Sequence, residues 1–210
     1  FFRDQKLLRQ PHIILESEGV DLDRFHPVVD FDKPLTFIFV GRLVEEKGIR
    51  EYMEAAKIIK RRFPETRFLI AGDYYQKKSR IKPEEVKAYE QNGIVEYLGF
   101  CFNIEEVLQD VHVVVLPSYR EGMPLSLIEG LAAKKFLIAS DVAGCKDIVI
   151  DNYNGFLVRS RSSFDLALKM EKYINSNNKE HFHNNSLTSS KKYDQKIITA
   201  KLLVLISEII

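Results

Sequence analysis

The sequence predicts an α/β chain, a Rossmann-like parallel sheet flanked by helices. Three observations point there. Continuous apolar runs rich in β-branched and aromatic residues, Thr36 to Val40, Val111 to Leu116 and Phe136 to Ala139, read as strands buried on both faces. Stretches with apolar residues at helical spacing lie between them, such as Ile49, Tyr52, Met53, Ala56 and Ile59. Gly41 and Gly72 follow strand runs directly, where an open sheet of this kind turns into its ligand-binding loops.

At 210 residues, 45% apolar and 29% charged, the chain can bury a full α/β core. A formal net charge of +1 gives no basis for nucleic-acid binding, and no run of about 18 apolar residues is present to span a bilayer. Cys101 and Cys145 lack metal-ligand spacing and read as reduced thiols of a cytosolic protein. His181-x-His183 is the one close histidine pair, a weak metal candidate without nearby cysteines. The chain opens at Phe1-Phe2-Arg3 with no initiator Met, so a preceding domain is expected.

Residues 1 to 18 read as the remnant of that domain and its linker, with a basic helix-like stretch to residue 12 and a short strand at Ile13 to Leu15. Residues 19 to 175 form the expected main domain. After the strand at Thr36, Gly41-Arg42-Leu43 and Lys47 precede the first amphipathic helix. A strand, a glycine, a basic loop and a helix amino end together make a cradle for phosphate, with Arg42 able to fork onto its oxygens and Lys47 adding a point charge. Arg67 to Asp73 is the second strand. The basic insert Tyr74 to Lys82 reads as a surface loop whose Lys77, Lys78, Arg80 and Lys82 suit anionic head groups. Pro83-Glu84-Glu85 opens a helix and Ile94 to Phe100 is the third strand.

The strand at Val111 to Leu116 runs into a loop, Pro117 to Gly122, and then a helix with Pro124 as its first residue. Leu125, Ile128, Leu131 and Ala132 share one face of that helix, and Ser126, Glu129 and Ala133 another. Glu121 in the loop and Glu129 one turn into the helix thus stand beside an anion-attracting helix end. Phosphates for the cations and hydroxyls for the acids describe one ligand class, a nucleotide sugar. Lys134 and Lys135 suit the negative end of the helix. Strands at Phe136 to Ala139 and Asn154 to Val158 follow, then an amphipathic helix from Ser163 to Ile174. Residues 176 to 210 read as a helical extension. Asn175 to Asn185 is expected as a polar turn and Lys191 to Ile210 as a final helix, whose apolar Leu202, Leu203, Leu205, Ile206, Ile209 and Ile210 call for a partner surface.

Four motifs in fixed order carry a family resemblance: Gly19-Val-Asp-Leu-Asp-Arg-Phe-His-Pro27; Gly41-Arg-Leu-Val-Glu-Glu-Lys-Gly48; Pro117-Ser-Tyr-Arg-Glu-Gly-Met-Pro-Leu-Ser-Leu-Ile-Glu129; and Asp141-Val-Ala-Gly-Cys-Lys-Asp147. The chain resembles the carboxyl-terminal, donor-binding half of the retaining GT-B glycosyltransferases of family 4. Among these it looks most like the bacterial subgroup acting on undecaprenyl-diphosphate-linked sugars. Glu18 stands where Asn is usual, Asp147 where Glu is usual, and Lys134-Lys135-Phe136 replaces a Gly-x-Pro.

The resemblance implies that Arg42 and Lys47 neutralise the donor diphosphate, that Glu121 faces the donor sugar, and that Glu129 holds the ribose. It implies further donor contacts from Gly41, Gly122, Met123, Pro124 and Leu125, with Gly99 and Phe100 beside the base. The implied donor is a nucleotide-diphosphate sugar, a UDP-sugar first, with no metal; Asp21-x-Asp23 lies in the hinge, away from any strand end. The implied partners are an amino-terminal acceptor domain of the same protein and a lipid-linked acceptor, on the cytoplasmic face of the membrane. A sugar-nucleotide epimerase of the same fold and a non-catalytic nucleotide-sugar-binding domain remain as alternatives.

Overall fold

The computed structural model describes residues 17–74 and 80–207. Six strands form one sheet: β1 (Thr36–Val40), β2 (Arg67–Ala71), β3 (Glu96–Gly99), β4 (Val113–Leu116), β5 (Phe136–Ser140) and β6 (Gly155–Val158). Their order is β3-β2-β1-β4-β5-β6 and every pairing is parallel. The chain runs outward from β1 through β2 to β3, then returns to the centre and runs the other way from β4. The seam where β1 meets β4, with Phe37 opposite Val113 and Phe39 opposite Val115, is therefore the topological switch point.

Eight helices accompany the sheet among the described residues: α1 (Ile49–Lys60), α2 (Pro83–Gln91), α3 (Ile104–Val107), α4 (Leu125–Ala132), α5 (Cys145–Ile148), α6 (Ser163–Ile174), α7 (Lys179–Ser190) and α8 (Gln195–Ser207). Crossovers of one hand leaving the centre in opposite directions put α1 and α4 on opposite faces. Here α1 packs on α6, and α4 on α7. Ile49, Tyr52, Met53, Ala56 and Ile59 are all buried, as their spacing predicts. Tyr52 reaches into the sheet, its hydroxyl 3.0 Å from the Leu69 carbonyl oxygen, which satisfies a polar group in an otherwise apolar layer. Around β5 an aromatic cluster stacks Phe136 on Tyr173, at 4.7 Å between centroids, and joins Phe182 and Phe156 to it.

Several expectations are corrected. The stretch read as a polar turn over 175 to 185 is largely α7, which brings Phe182, His183, Asn185 and Ser186 into the interior. Pro124 is extended and caps α4 from outside rather than forming its first residue, and Leu125 is exposed. Lys135 does not lie along a helix end: it is fully buried at the start of the next strand connection, its Nζ donating to the Val28 carbonyl at 2.6 Å. The final helix begins at Gln195, after a turn of 3-10 helix at Lys191–Tyr193, and Leu202, Leu203 and Ile206 are exposed on it. Val113, not Val111, opens the fourth strand. The remnant at residues 1 to 16, Lys77 and Lys78 of the insert, and Ile209 and Ile210 lie outside the described residues.

His183 is also withdrawn as a metal ligand. Its Nδ1 is 2.7 Å from the Lys134 carbonyl oxygen and its Nε2 is 2.6 Å from the Tyr173 hydroxyl. A carbonyl only accepts, so the proton sits on Nδ1 and Nε2 accepts from Tyr173, leaving no lone pair for a cation. His181 is exposed on the same helix.

Candidate functional site

Three loops at the carboxyl ends of β1, β4 and β5 meet over the switch point, and two glycines let them meet. Gly48 closes the loop after β1 in the left-handed conformation, φ 73°, against the loop after β4: a β-carbon there would lie 2.1 Å from the Pro117 carbonyl oxygen. Gly144, φ 76°, brings the loop after β5 against the same segment, where a β-carbon would lie 1.9 Å from the Gly122 carbonyl oxygen. No other residue type fits either position without moving a backbone. Asp147 accepts a hydrogen bond from the Gly144 backbone N–H at 3.1 Å, so the shorter acid in place of Glu still caps that turn. Tyr119 ties the first two loops again. Its backbone N–H donates to the Glu46 carbonyl at 2.8 Å and its hydroxyl to Glu51 Oε1 at 2.7 Å.

On this platform Lys47 and Glu121 form an ion pair, Nζ to Oε1 at 2.6 Å, and the Ser118 hydroxyl donates to the same oxygen at 2.6 Å. The Glu121 side chain is 9% exposed and that of Lys47 21%. The pair lines a cavity of about 880 Å³ together with Arg42, Gly122, Arg120 and Arg161. Arg42 also borders a second cavity of about 470 Å³, formed with Gly41, Gly72, Phe100, Phe102 and Glu129. The two cavities thus share a wall at Arg42, and a ligand crossing it would meet Glu129 on one side and Glu121 on the other. The amino end of α4 has no side-chain cap, leaving backbone N–H groups without helical partners at this edge of the sheet.

Glu129 is half-buried. Burial raises its carboxyl above the usual range, the Glu105 carboxylate adds to this, and the Arg24 guanidinium opposes it. Arg24, in the turn Leu22–Arg24, donates from Nε to Glu105 Oε1 at 3.1 Å. Glu105 Oε2 is buried and accepts no hydrogen bond. Gly99 and Phe100 follow β3, with Gly99 in the left-handed region at φ 71°. Phe100 and Phe102 stand edge to face at 4.9 Å, 61% and 86% exposed, on the rim of the smaller cavity.

Most of the residues singled out from the sequence therefore converge: Gly41, Arg42, Lys47, Phe100, Glu121, Gly122 and Glu129 line two adjoining cavities. Four do not line either, Gly99 at the end of β3 being one of them. Pro124 is buried, and Met123 and Leu125 face a separate cavity of about 520 Å³ that also contacts Ile198 and Leu202 of α8. Sequence reasoning missed Arg24, Glu105, Arg120 and Arg161. Arg120 lies inside the glutamate motif and Arg24 inside the motif at Gly19–Pro27, so both could have been marked by position; Glu105, on α3, and Arg161 meet Arg24 and Tyr119 from far along the chain, with no local signal.

The class that fold and site define is a doubly wound α/β domain with an elongated cleft at its switch point, cationic in the middle and acidic at both sides. The chain belongs to the family described as Glycosyl transferases group 1, whose model matches residues 23–187. It is 26% identical over 224 residues to the N,N'-diacetylbacillosaminyl-diphospho-undecaprenol alpha-1,3-N-acetylgalactosaminyltransferase of Campylobacter jejuni, covering 100% of this chain and 58% of that protein. The chain thus spans little more than half the length of that relative. Among solved structures, the C-terminal domain of a glycosyl transferase group 1 family protein (LpcC) from Francisella tularensis superposes with a TM-score of 0.71 at 24% identity, over 81% of this chain and 96% of that one. Anabaena Alr3699/HepE in complex with UDP gives 0.78 at 18% identity, over 90% of this chain and 56% of that one. These likenesses agree with the expected fold, the Rossmann-like carboxyl-terminal half of a GT-B protein.

Proposed function

We propose that this chain is the donor-binding half of a retaining glycosyltransferase that moves a sugar from a nucleotide diphosphate to an acceptor hydroxyl. The observation that carries the reading is the continuity of the cleft: Glu129, Arg42 and the Lys47–Glu121 pair follow one another across two cavities that share Arg42. A nucleotide sugar has the same order of chemistry. Its ribose hydroxyls can donate to Glu129, its diphosphate can face Arg42 and the open end of α4, and its sugar can reach Glu121. A neighbour of the same fold is described in complex with UDP, which supports a UDP-sugar as donor.

The reaction needs stabilisation of negative charge on the departing diphosphate. Arg42 and Lys47 both belong to the loop after β1 and already line the cavity, so no side chain must reorganise over a long distance at the moment of bond cleavage. Glu121 keeps Lys47 in place and offers a carboxylate to the positive charge that develops on the sugar ring. The acceptor hydroxyl gives its proton to the leaving diphosphate, and neither glutamate forms a covalent bond. This cation set does the charge neutralisation that a divalent metal performs elsewhere, and the proposed reaction has no metal.

The relative from Campylobacter is named for a diphospho-undecaprenol acceptor. We carry that class here: a lipid-diphosphate-linked sugar, met on the cytoplasmic face of the membrane by an amino-terminal acceptor domain. No helix among the described residues is long and apolar enough to cross a membrane; the contact proposed is peripheral. The exposed Leu203, Val204 and Ile206 of α8 are assigned to the surface facing the acceptor domain. Residues 19–175 are taken as the donor-binding unit and 176–210 as its helical extension, which completes the core through Phe182.

The test is a transfer assay with the full-length protein, a set of UDP-sugars and a prenyl-diphosphate-linked sugar, with the anomeric configuration of the product read by NMR. Transfer with retention is expected. Interconversion of free sugar nucleotides without transfer would assign an epimerase instead, and neither reaction would assign a binding domain.

A further inference from the structure

The larger cavity is lined by cationic side chains to which the donor reading gives no role. Four cationic side chains line it, Arg42, Lys47, Arg120 and Arg161, against two acidic ones, Glu46 and Glu121. Lys47 and Glu121 are already paired, and Arg42 lies at the wall shared with the nucleoside side. Arg120 and Arg161 are left over, both exposed and lining the same cavity as Glu121.

Arg161 is held there by construction. It adopts the left-handed backbone region, φ 60°, unusual for a residue with a β-carbon and unfavourable by about 1–2 kcal/mol unless its surroundings fix it. Its guanidinium stacks on the Tyr119 ring, 4.3 Å from the centroid. Tyr119 is in turn anchored by Glu51 and by the Glu46 backbone, and the neighbouring Ser160 hydroxyl meets the Ser118 carbonyl at 3.5 Å. A guanidinium held over a ring keeps N–H donors that can fork onto phosphate oxygens. Among the described residues Arg161 makes no side-chain ion pair or hydrogen bond, its one side-chain contact of this kind being the Tyr119 ring, and Arg120, next to Glu121 in the motif loop, has no side-chain partner. Two guanidinium groups with idle donors thus line one cavity, one of them held against Tyr119, a pairing suited to an oxyanion.

We propose that Arg120 and Arg161 form a second phosphate subsite, separate from the donor diphosphate site, that takes the phosphate of the acceptor and so lets the donor half take part in acceptor recognition. The assignment rests on the donor-half reading given above. Its position fits: the acceptor must approach the donor sugar beside Glu121, and an acceptor whose reacting sugar is joined to a diphosphate brings that charge within one sugar length of the reaction. A carboxylate on the sugar itself would offer the same forked oxygens nearer the ring, and the experiment separates the two sources.

The test is calorimetric titration of the full-length protein, first with UDP to saturation, then with inorganic pyrophosphate in one arm and glucuronate in the other. UDP fills the donor diphosphate site, so any further pyrophosphate uptake reads the second one. Pyrophosphate binding to the UDP-loaded protein is expected, weakened at least tenfold in the double variant R120Q/R161Q, with glucuronate not bound. UDP binding by the same variant reports that it is folded, and R161K, which keeps charge but loses the fork and the stack, is expected to lie between the two. UDP binding with no uptake of pyrophosphate, pyrophosphate affinity unchanged in R120Q/R161Q, or selective uptake of glucuronate would each overturn the proposal. Failure of UDP to bind would overturn the donor-half reading instead; loss of pyrophosphate binding from the UDP-free protein in R120Q/R161Q would then still support the anion subsite.

Discussion

Lys47 Nζ lies 2.6 Å from Glu121 Oε1, joining the loop after β1 to the loop after β4 across the topological switch point. The two side chains are 74 positions apart in sequence. Each neutralises the other in a partly buried setting, where loss of one partner leaves the other's charge desolvated. A donor diphosphate offers Lys47 a second anion and draws it partly from Glu121, freeing the carboxylate toward the sugar.

Lys47→Ala is therefore expected to weaken UDP binding by about 1.5–3 kcal/mol, the range for hydrogen bonds to charged groups, or about ten- to a hundredfold. Glu121→Gln keeps the size of the side chain and leaves Lys47 free for phosphate. It is expected to bind UDP at least as well as the wild type while losing transfer by about a hundredfold or more. Paired calorimetry and turnover measurements on the full-length protein check both, and a matching loss of UDP affinity in Glu121→Gln would contradict the division of roles.

Glu129→Gln addresses the ribose. Removing the carboxylate should cost about tenfold or more in UDP affinity and shrink the preference for UDP over 2′-deoxy-UDP. Burial holds this carboxyl above the ordinary carboxylate range, so acid converts it to the neutral form earlier than an exposed Glu. UDP affinity of the wild type should then show a weakening, as pH falls, that the Gln variant lacks. Because folding disfavours the charged form, the variant should be as stable as the wild type or slightly more so above that transition, measured by thermal unfolding.

Gly48→Ala and Gly144→Ala test the platform. Each methyl would meet a backbone carbonyl, at 2.1 Å from Pro117 O and 1.9 Å from Gly122 O, on a residue already in the left-handed region. A loss of about 2–5 kcal/mol in unfolding free energy is expected for each, with UDP affinity falling alongside because the loops that carry Lys47 and Glu121 must part. A control at Gly93, which has open space around its Cα and lies far along the chain at the end of α2, should cost only the left-handed penalty of about 1–2 kcal/mol.

Lys135 gives a prediction about pH. Burial lowers its ammonium to about 8, with Asp110 opposing and Lys134 and Lys33 assisting. Its folded value is below its unfolded one, so between about pH 8 and the ordinary lysine range the unfolded chain binds more protons, and stability rises with pH through that window. Lys135→Met is expected to stabilise the protein at pH 7 by about 1–3 kcal/mol, the gap closing as pH approaches 10. Denaturant unfolding at a series of pH values reads the gap; a constant difference would show that Lys135 does not titrate as a buried cation.

What the sequence made legible follows from how local each signal is. The bounds of β1 at Thr36–Val40 and of α6 at Ser163–Ile174 coincide with the expected ones, because a continuous apolar run and an amphipathic period are written within a dozen residues. The motifs at Arg42–Lys47 and Glu121–Glu129 were legible for the same reason, and the fold brings them to one cleft. Helix α7 was not. It is rich in Asn, Ser and His, yet His183 satisfies the Lys134 carbonyl, Asn185 donates to the Tyr153 carbonyl at 2.9 Å, and Ser186 donates to the Asn154 carbonyl at 3.3 Å. Such pairings make a polar face buriable, and they involve partners 32 to 49 positions away that no local pattern records. The Arg24–Glu105 pair, 81 positions apart, and the stacking of Arg161 on Tyr119 escaped for the same reason.

The most direct measurement is calorimetric titration of this chain with UDP, GDP and ADP, each with and without EDTA. Selective binding of UDP, unchanged by EDTA and weakened in both Arg42→Ala and Glu129→Gln, is the predicted result. Binding that EDTA abolishes, or UDP affinity that neither substitution alters, would contradict the placement of the donor in this cleft.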